Sequence, residues 1–297
     1  MRHEAVLQEI VTAHRQRWFG VKQRIRLENA LGAYVRTLLG FHTGLPVKER
    51  AAIVKRAAAL LSGTILDDKD ERYLENVSWL VQTNDKAVEA FVSMEKSQVK
   101  AMKALVRKLP IWTDWASDIV GVGEVGVATI IGECGGDVGK FRNEAALWKR
   151  MGVGVIFGVA QGKLPKASPS ELWVLHGYNR DRRARLFTIG DAIIKCPDSP
   201  YRAIYDARKL IEQEKARAQG LEILPAAKIE KGRLDAISEG HIHRKAQRYM
   251  ETRLLRHFYK AWKRTMQDRP RVATAAFVQA ASHQDPSLTI DAYTREA

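Results

Sequence analysis

Two glycines one residue apart, in Ile119-Val120-Gly121-Val122-Gly123, stand directly before a run of small residues from Glu124 to about Glu133. Glycine lacks a Cβ, so it reaches positive φ and lets another backbone come close. A Gly-x-Gly turn that ends one short helix and begins the next leaves amides unpaired at a helix N-terminus, where phosphate is favoured. The backbone at Gly121, Val122 and Gly123 is therefore a candidate phosphate grip of a helix-hairpin-helix. The same pattern also describes a tight turn between two core helices. Gly126 completes Gly-x-Gly-x-x-Gly, but a dinucleotide fold needs a strand before the first glycine, and no strand pattern precedes Gly121.

Two basic segments add cations. Arg180, Arg182, Arg183 and Arg185 follow His176-Gly177-Tyr178-Asn179. Four guanidiniums this close repel one another unless an anion lies among them. A nucleic-acid phosphate is one such anion; a solvated charge run is the other reading. The last helical stretch, from Gly240 to about Met266, carries Arg244, Lys245, Arg248, Arg256, Lys260 and Lys263. Residues 233–264 hold 9 Lys+Arg and 3 Asp+Glu, so 9 − 3 = +6. Lys163, in the Gly-rich and then Pro-rich stretch 152–170, is a further candidate contact. His241 and His243 are of the metal-ligand type, but no third ligand appears at matching spacing, so no metal and no cofactor are expected.

The elements that must position these groups read as helices. Leu7, Val11, His14, Trp18, Val21 and Ile25 alternate in steps of four and three within a helix over residues 4–40. Residues 1–60 hold 11 Lys+Arg and 4 Asp+Glu, so 11 − 4 = +7, on faces that either contact phosphate or are simply solvated. A shorter helix is predicted from Val47 to Leu61. Leu74, Val77, Val81, Asn84, Val88, Phe91, Glu95, Gln98, Met102, Leu105 and Leu109 then keep a strict heptad alternation up to Pro110. Such a helix, about 50 Å long, asks for a partner, either residues 4–40 or the same helix of another subunit. Asn143 is a predicted N-cap for a helix stopped by Gly152, residues 200–219 form a charged helix, and Gly220–Gly232 reads as a loop. Ala246, Met250, Leu254, Phe258 and Trp262 make the buried stripe of the last helix. Residues 267–297 read as a mobile tail. The expected divisions are a basic N-terminal region (1–62), the long helix (70–110), a DNA-binding domain (111–264) and the tail.

With 297 residues and a net charge of +15, the chain is long enough for two small domains and points to a polyanionic partner. Cys134 and Cys196 make no disulfide framework, and both are expected to be reduced. No stretch approaches the roughly 20 apolar residues of a membrane span, and the start has no signal-peptide pattern, so no membrane partner and a cytoplasmic location are expected.

Residues 116–153, from Ala116-Ser117-Asp118-Ile119 through Phe141-Arg142-Asn143-Glu144 to Met151-Gly152-Val153, resemble the C-terminal transposase domain of the insertion-sequence one-ten group, the Piv/MooV family. His176-Gly177-Tyr178-Asn179-Arg180-Asp181-Arg182-Arg183 is similar to that domain's basic Gly-Asn-Arg segment. Gly240 to Trp262 resembles its closing basic helix, and residues 14–39 resemble the helical region after the family's nuclease domain. The resemblance implies DNA as partner and also raises structured RNA, since the family uses a guide RNA. Family members begin with a RuvC-like domain carrying four acidic metal ligands; this chain is expected to start after the point where that domain ends. The family's nucleophilic serine lies in a Ser-Gly loop, which here reads Val155-Ile156-Phe157-Gly158-Val159-Ala160-Gln161-Gly162-Lys163. Ser168 and Ser170 are the nearest hydroxyls. The expectation is an all-α, homo-oligomeric DNA-binding protein without catalysis of its own. The rivals are a transposase or recombinase using Ser168, Ser170 or a nuclease subunit in trans, and a structured-RNA-binding protein.

Overall fold

The computed structural model describes residues 3–230 and 232–266. Helix accounts for 72% and strand for 4%, so the fold is all-α. The chain forms two compact units, one made of Thr12–Ala101 and the other of the described residues on either side. The predicted tail, 267–297, lies outside the described residues.

Helix α1 runs Glu4–Leu38, α2 Val47–Leu61 and α3 Glu71–Val106. Within Thr12–Ala101, Val35 of α1, Ala57 and Leu60 of α2 and Val77 of α3 are buried together, ringed by Leu31, Leu38, Leu74 and Val81. Further along, Phe19 meets Phe91 edge-on at 6.4 Å, and Arg24 Nε donates to Glu95 Oε1 at 3.0 Å. Between them, a Cβ on Gly20 would stand 3.4 Å from the Phe91 carbonyl oxygen, so glycine lets the two helix backbones approach. Within Thr12–Ala101, the heptad seam of α3 thus packs on α1 of the same chain. Arg56 of α2 grips the buried Asp70 with two nitrogens, one of them 2.8 Å from Oδ2, and holds that carboxyl below its ordinary range.

The seam overran the helix by one turn. Helix α3 stops at Val106 because Lys108 N and Leu109 N bond to the Leu105 and Val106 carbonyls in tight three-residue turns. Pro110 then opens α4 (Pro110–Thr113) at its first position, where the missing N–H costs nothing.

The second unit continues with a 3-10 turn (Ala116–Asp118), α5 (Glu124–Cys134) and a 3-10 turn (Val138–Lys140). Next come α6 (Glu144–Met151), the antiparallel pair β1 (Val155–Ile156) and β2 (Val159–Ala160), α7 (Ser170–His176), α8 (Arg180–Ile194) and α9 (Pro200–Ala218). The expected loop 220–232 instead holds β3 (Glu222–Leu224), which pairs in parallel with β4 (Ala236–Ser238) ahead of α10 (Glu239–Thr265). Asn143 caps α6 by accepting from Ala146 N at 3.0 Å, as its residue type predicts.

Helix α10 is the spine of this unit. Its stripe of Ala246, Met250, Leu254, Phe258 and Trp262 is buried, with Trp115 edge-on to Phe258 at 5.7 Å. A second face of α10 bonds in antiparallel order to residues 137–154. Arg248 Nη2 donates to the Gly154 carbonyl (3.0 Å), the Thr252 carbonyl accepts from Trp148 Nε1 (3.1 Å), and Tyr259 donates to the Phe141 carbonyl (2.8 Å). Trp262 Nε1 reaches Asp137 Oδ1 (3.0 Å) and Lys263 Nζ the Gly139 carbonyl (2.7 Å).

Candidate nucleic-acid interface

The Gly-x-Gly segment is a tight turn between the 3-10 turn at Ala116–Asp118 and α5. Val122 N bonds back to the Ile119 carbonyl at 3.1 Å, with Gly121 at φ +89°, the positive-φ place of a type II turn. Gly121 is needed for packing as well, since a Cβ there would lie 3.2 Å from the Ile193 Cα of α8. Val122 is buried, so its side chain serves the core. Gly123 caps α5 with ordinary φ and open space around it. The positive end of α5 already has a carboxylate: Glu124 accepts from Arg107 Nε at 3.0 Å and from its own amide, and both bonds hold its pKa down. A phosphate at this end of α5 would meet that carboxylate.

The arginine cluster has its anions inside the protein. Arg182 Nε lies 3.2 Å from Glu133 Oε2, Arg185 pairs with the other oxygen of Glu133, and Arg182 Nη1 also donates to the Arg150 carbonyl at 3.0 Å. The Arg182 side chain is only 14% exposed. Arg183 Nη2 lies 2.8 Å from Glu251 Oε2, a carboxylate with no exposure at all. The repulsion expected among these guanidiniums is relieved by Glu133 and Glu251, not by an outside phosphate. The sequence signal for both was available: Glu133 is an acid near the end of the apolar helix 124–134, and Glu251 is a single acid inside the basic run 244–264. Arg180 is exposed, whereas Arg182, Arg183 and Arg185 are partly buried.

Glu251 is held between α8 and α10. Gln247 Nε2 donates to its Oε1 at 3.1 Å and to the Phe187 carbonyl at 2.9 Å. Burial pushes the Glu251 carboxyl up to about 7, against the pull of Arg183. On the α9 side, Tyr201 and His257 Nδ1 share a buried hydrogen bond of 3.0 Å, and burial lowers His257 to about 4. His243 Nδ1 is 2.7 Å from the Tyr205 hydroxyl, which gives that histidine a structural partner.

The exposed cations gather at the start of α10. Ser238 caps the helix by accepting from His241 N at 3.1 Å. His241 lies partly buried among Lys245, Lys163 and Arg244, and burial together with those three charges lowers its pKa. Arg244, Lys245 and Lys163 are exposed. Lys245 Nζ is 3.4 Å from the buried Glu212, whereas among the described residues Lys163 and Arg244 have no ion-pair partner. Arg248 and Arg256, predicted on the same basic face, turn inward: Arg248 to Gly154 and Arg256 to Glu144 at 3.5 Å. The structure therefore brings Lys163, Arg244 and Lys245 together and draws Arg182, Arg183, Arg248 and Arg256 into the framework.

Lys163 reaches this place through a buried amide that sequence reasoning passed over. Gln161 accepts from Gly154 N at 2.9 Å and donates to the Lys149 carbonyl at 3.0 Å and to that of His176. It pins the β1–β2 hairpin to the ends of α6 and α7. Ser168 turns on the Pro165 carbonyl through its amide, and Ser170 Oγ donates to Glu171 Oε1 at 3.0 Å on an exposed turn. Cys134 and Cys196 are both free thiols, and burial pushes Cys134 up to about 12. Among the described residues no group of three or more His, Cys, Asp or Glu converges as a metal site, and no helix is long and apolar enough to cross a membrane. Compared with known proteins, the chain matches no family model, no curated protein and no solved structure.

Proposed function

We propose that the chain is a DNA-binding protein related to insertion-sequence transposases of the one-ten group, acting as a binding module. The observation that carries this reading is the convergence of Lys163, Arg244 and Lys245 around His241, at the capped start of α10. These charges sit at the surface, while Arg182, Arg183 and Arg185 are paired with buried carboxylates. A lysine or arginine held at the surface without a full counter-charge is the group that phosphate contacts use. The net charge of +15 and the resemblance over residues 116–153 and 176–183 support the same partner.

The test is the salt dependence of binding. Each neutralised phosphate on duplex DNA contributes about −0.9 to the slope of log K against log salt. Changing Lys163, Arg244 and Lys245 together to Ala should make the slope shallower by about 2 to 3 and weaken unrelated sequences alike. A variant with the parent's slope removes this face from the interface. Tighter binding to a structured RNA than to DNA of any sequence would favour the RNA reading.

A further inference from the structure

We propose that Phe157, at the tip of the β1–β2 hairpin, stacks on an unpaired DNA base beside the Lys163–Arg244–Lys245 face. The inference rests on the DNA-binding reading above.

Phe157 is 81% exposed and contributes nothing to the core. Among the described residues it is also the one non-glycine residue with positive φ (+49°), followed by Gly158 at +74°. The strands pair Ile156 with Val159, so these two residues form a two-residue turn with both φ positive. Asn, Asp and Gly suit the first place of such a turn; an aromatic side chain does not. The fold thus accepts backbone strain and an uncovered ring at one residue, and neither improves packing. Strain of this kind persists where the surroundings over-determine it. Here they do: Gly154 is held by Arg248 and by Gln161, and Gln161 is buried at the other end of the hairpin.

The neighbourhood selects the partner. Three residues past the end of β2 stands Lys163, which lies with Arg244 around His241. Two residues per strand place the tip about 7 Å from the hairpin's base, within reach of a base whose phosphate contacts those cations. A ring next to unneutralised cations fits a ligand with anionic linkers and flat faces, which is the chemistry of a nucleic-acid strand. Bases in a duplex are already stacked on each other, so one ring gains most from an unpaired base.

The experiment measures affinity across a salt series for one labelled DNA oligonucleotide, as a single strand and as its duplex. Phe157→Asn suits the turn and should melt no lower than the parent. It should bind the single strand on the order of 10-fold more weakly, with little change on the duplex and an unchanged salt slope, because stacking releases no counter-ion. Phe157→Trp should retain the parent's affinity. A Phe157→Asn protein that matches the parent on the single strand, or loses equally on both forms, overturns the stacking role. If the Lys163, Arg244 and Lys245 changes weaken binding while Phe157→Asn does not, stacking alone falls. If the parent binds neither form, the DNA reading falls and takes this inference with it.

Discussion

Gly190 of α8 faces Glu251 of α10 so closely that a Cβ on the glycine would stand 2.7 Å from Glu251 Oε1 and 3.0 Å from Gln247 Nε2. The missing side chain is the space in which the buried carboxylate and amide meet. Gly190→Ala should therefore destabilise the protein by roughly 1–3 kcal/mol despite better helix propensity, as overpacking does. Urea unfolding measures it; a variant as stable as the parent would mean that Glu251 and Gln247 can move aside.

Glu251 and His257 predict a compensated response to pH. Folded Glu251, raised to about 7, keeps a proton that the unfolded chain releases near 4.5; its contribution is present at low pH and lost as pH rises toward 7. Folded His257, lowered to about 4, refuses a proton that the unfolded chain takes up below 6.5; its contribution is present above 6.5 and lost as pH falls toward 4. Between about pH 5 and pH 6 the two slopes are opposite and near equal. Relative to the parent, Glu251→Gln should make stability rise with pH more steeply there, by about 1.4 kcal/mol per pH unit. His257→Asn should shift the slope by a similar amount the other way. Unfolding curves at a few pH values decide it, and two variants parallel to the parent would refute both assignments.

The internal arginines should report as fold, not as binding. Glu133→Gln leaves Arg182 and Arg185 facing each other with one charge removed, and a buried pair broken on one side costs roughly 3–5 kcal/mol. Arg182→Ala should likewise lower the melting temperature, while the exposed Arg180→Ala should not. Equal melting of all three would place Glu133 in a looser, wetter site.

Much of this was legible in the chain. The stripe of α10 reads directly from Ala246 to Trp262 because burial on one helix face imposes its period, and Asn143 and Gly152 announce their caps locally. The arginines were harder. A guanidinium bound for a buried carboxylate has the same local sequence as one bound for phosphate, since the partner, Glu133 or Glu251, is 49 or 68 residues away. Only tertiary packing separates Arg182 from Arg244. The hairpin at Val155–Ala160 was missed because its strands are two residues long, too short to show a period, and its anchor Gln161 is buried by contacts with three distant backbone groups.

The two turn glycines should behave differently. Gly121→Ala combines positive φ with a 3.2 Å approach to Ile193 and should cost about 2 kcal/mol or more. Gly123→Ala meets open space at ordinary φ and should cost under about 1 kcal/mol. Thermal melts of the pair check it; similar losses would mean that Gly123 is constrained by its backbone after all.

The division between the two units falls inside helices, between Val11 and Thr12 of α1 and between Ala101 and Met102 of α3. Residues Glu4–Val11 make barely two turns, too few to nucleate and hold a helix in water on their own. Yet Leu7, Ile10 and Val11 are buried, with Leu7 and Val11 beside the Gly136 turn. Their helicity is propagated from the turns that follow Thr12, so the entropic cost of starting that helix is met once for both bodies. Deleting Thr12–Ala101 should therefore leave the larger unit with a short peptide that must renucleate before it can dock.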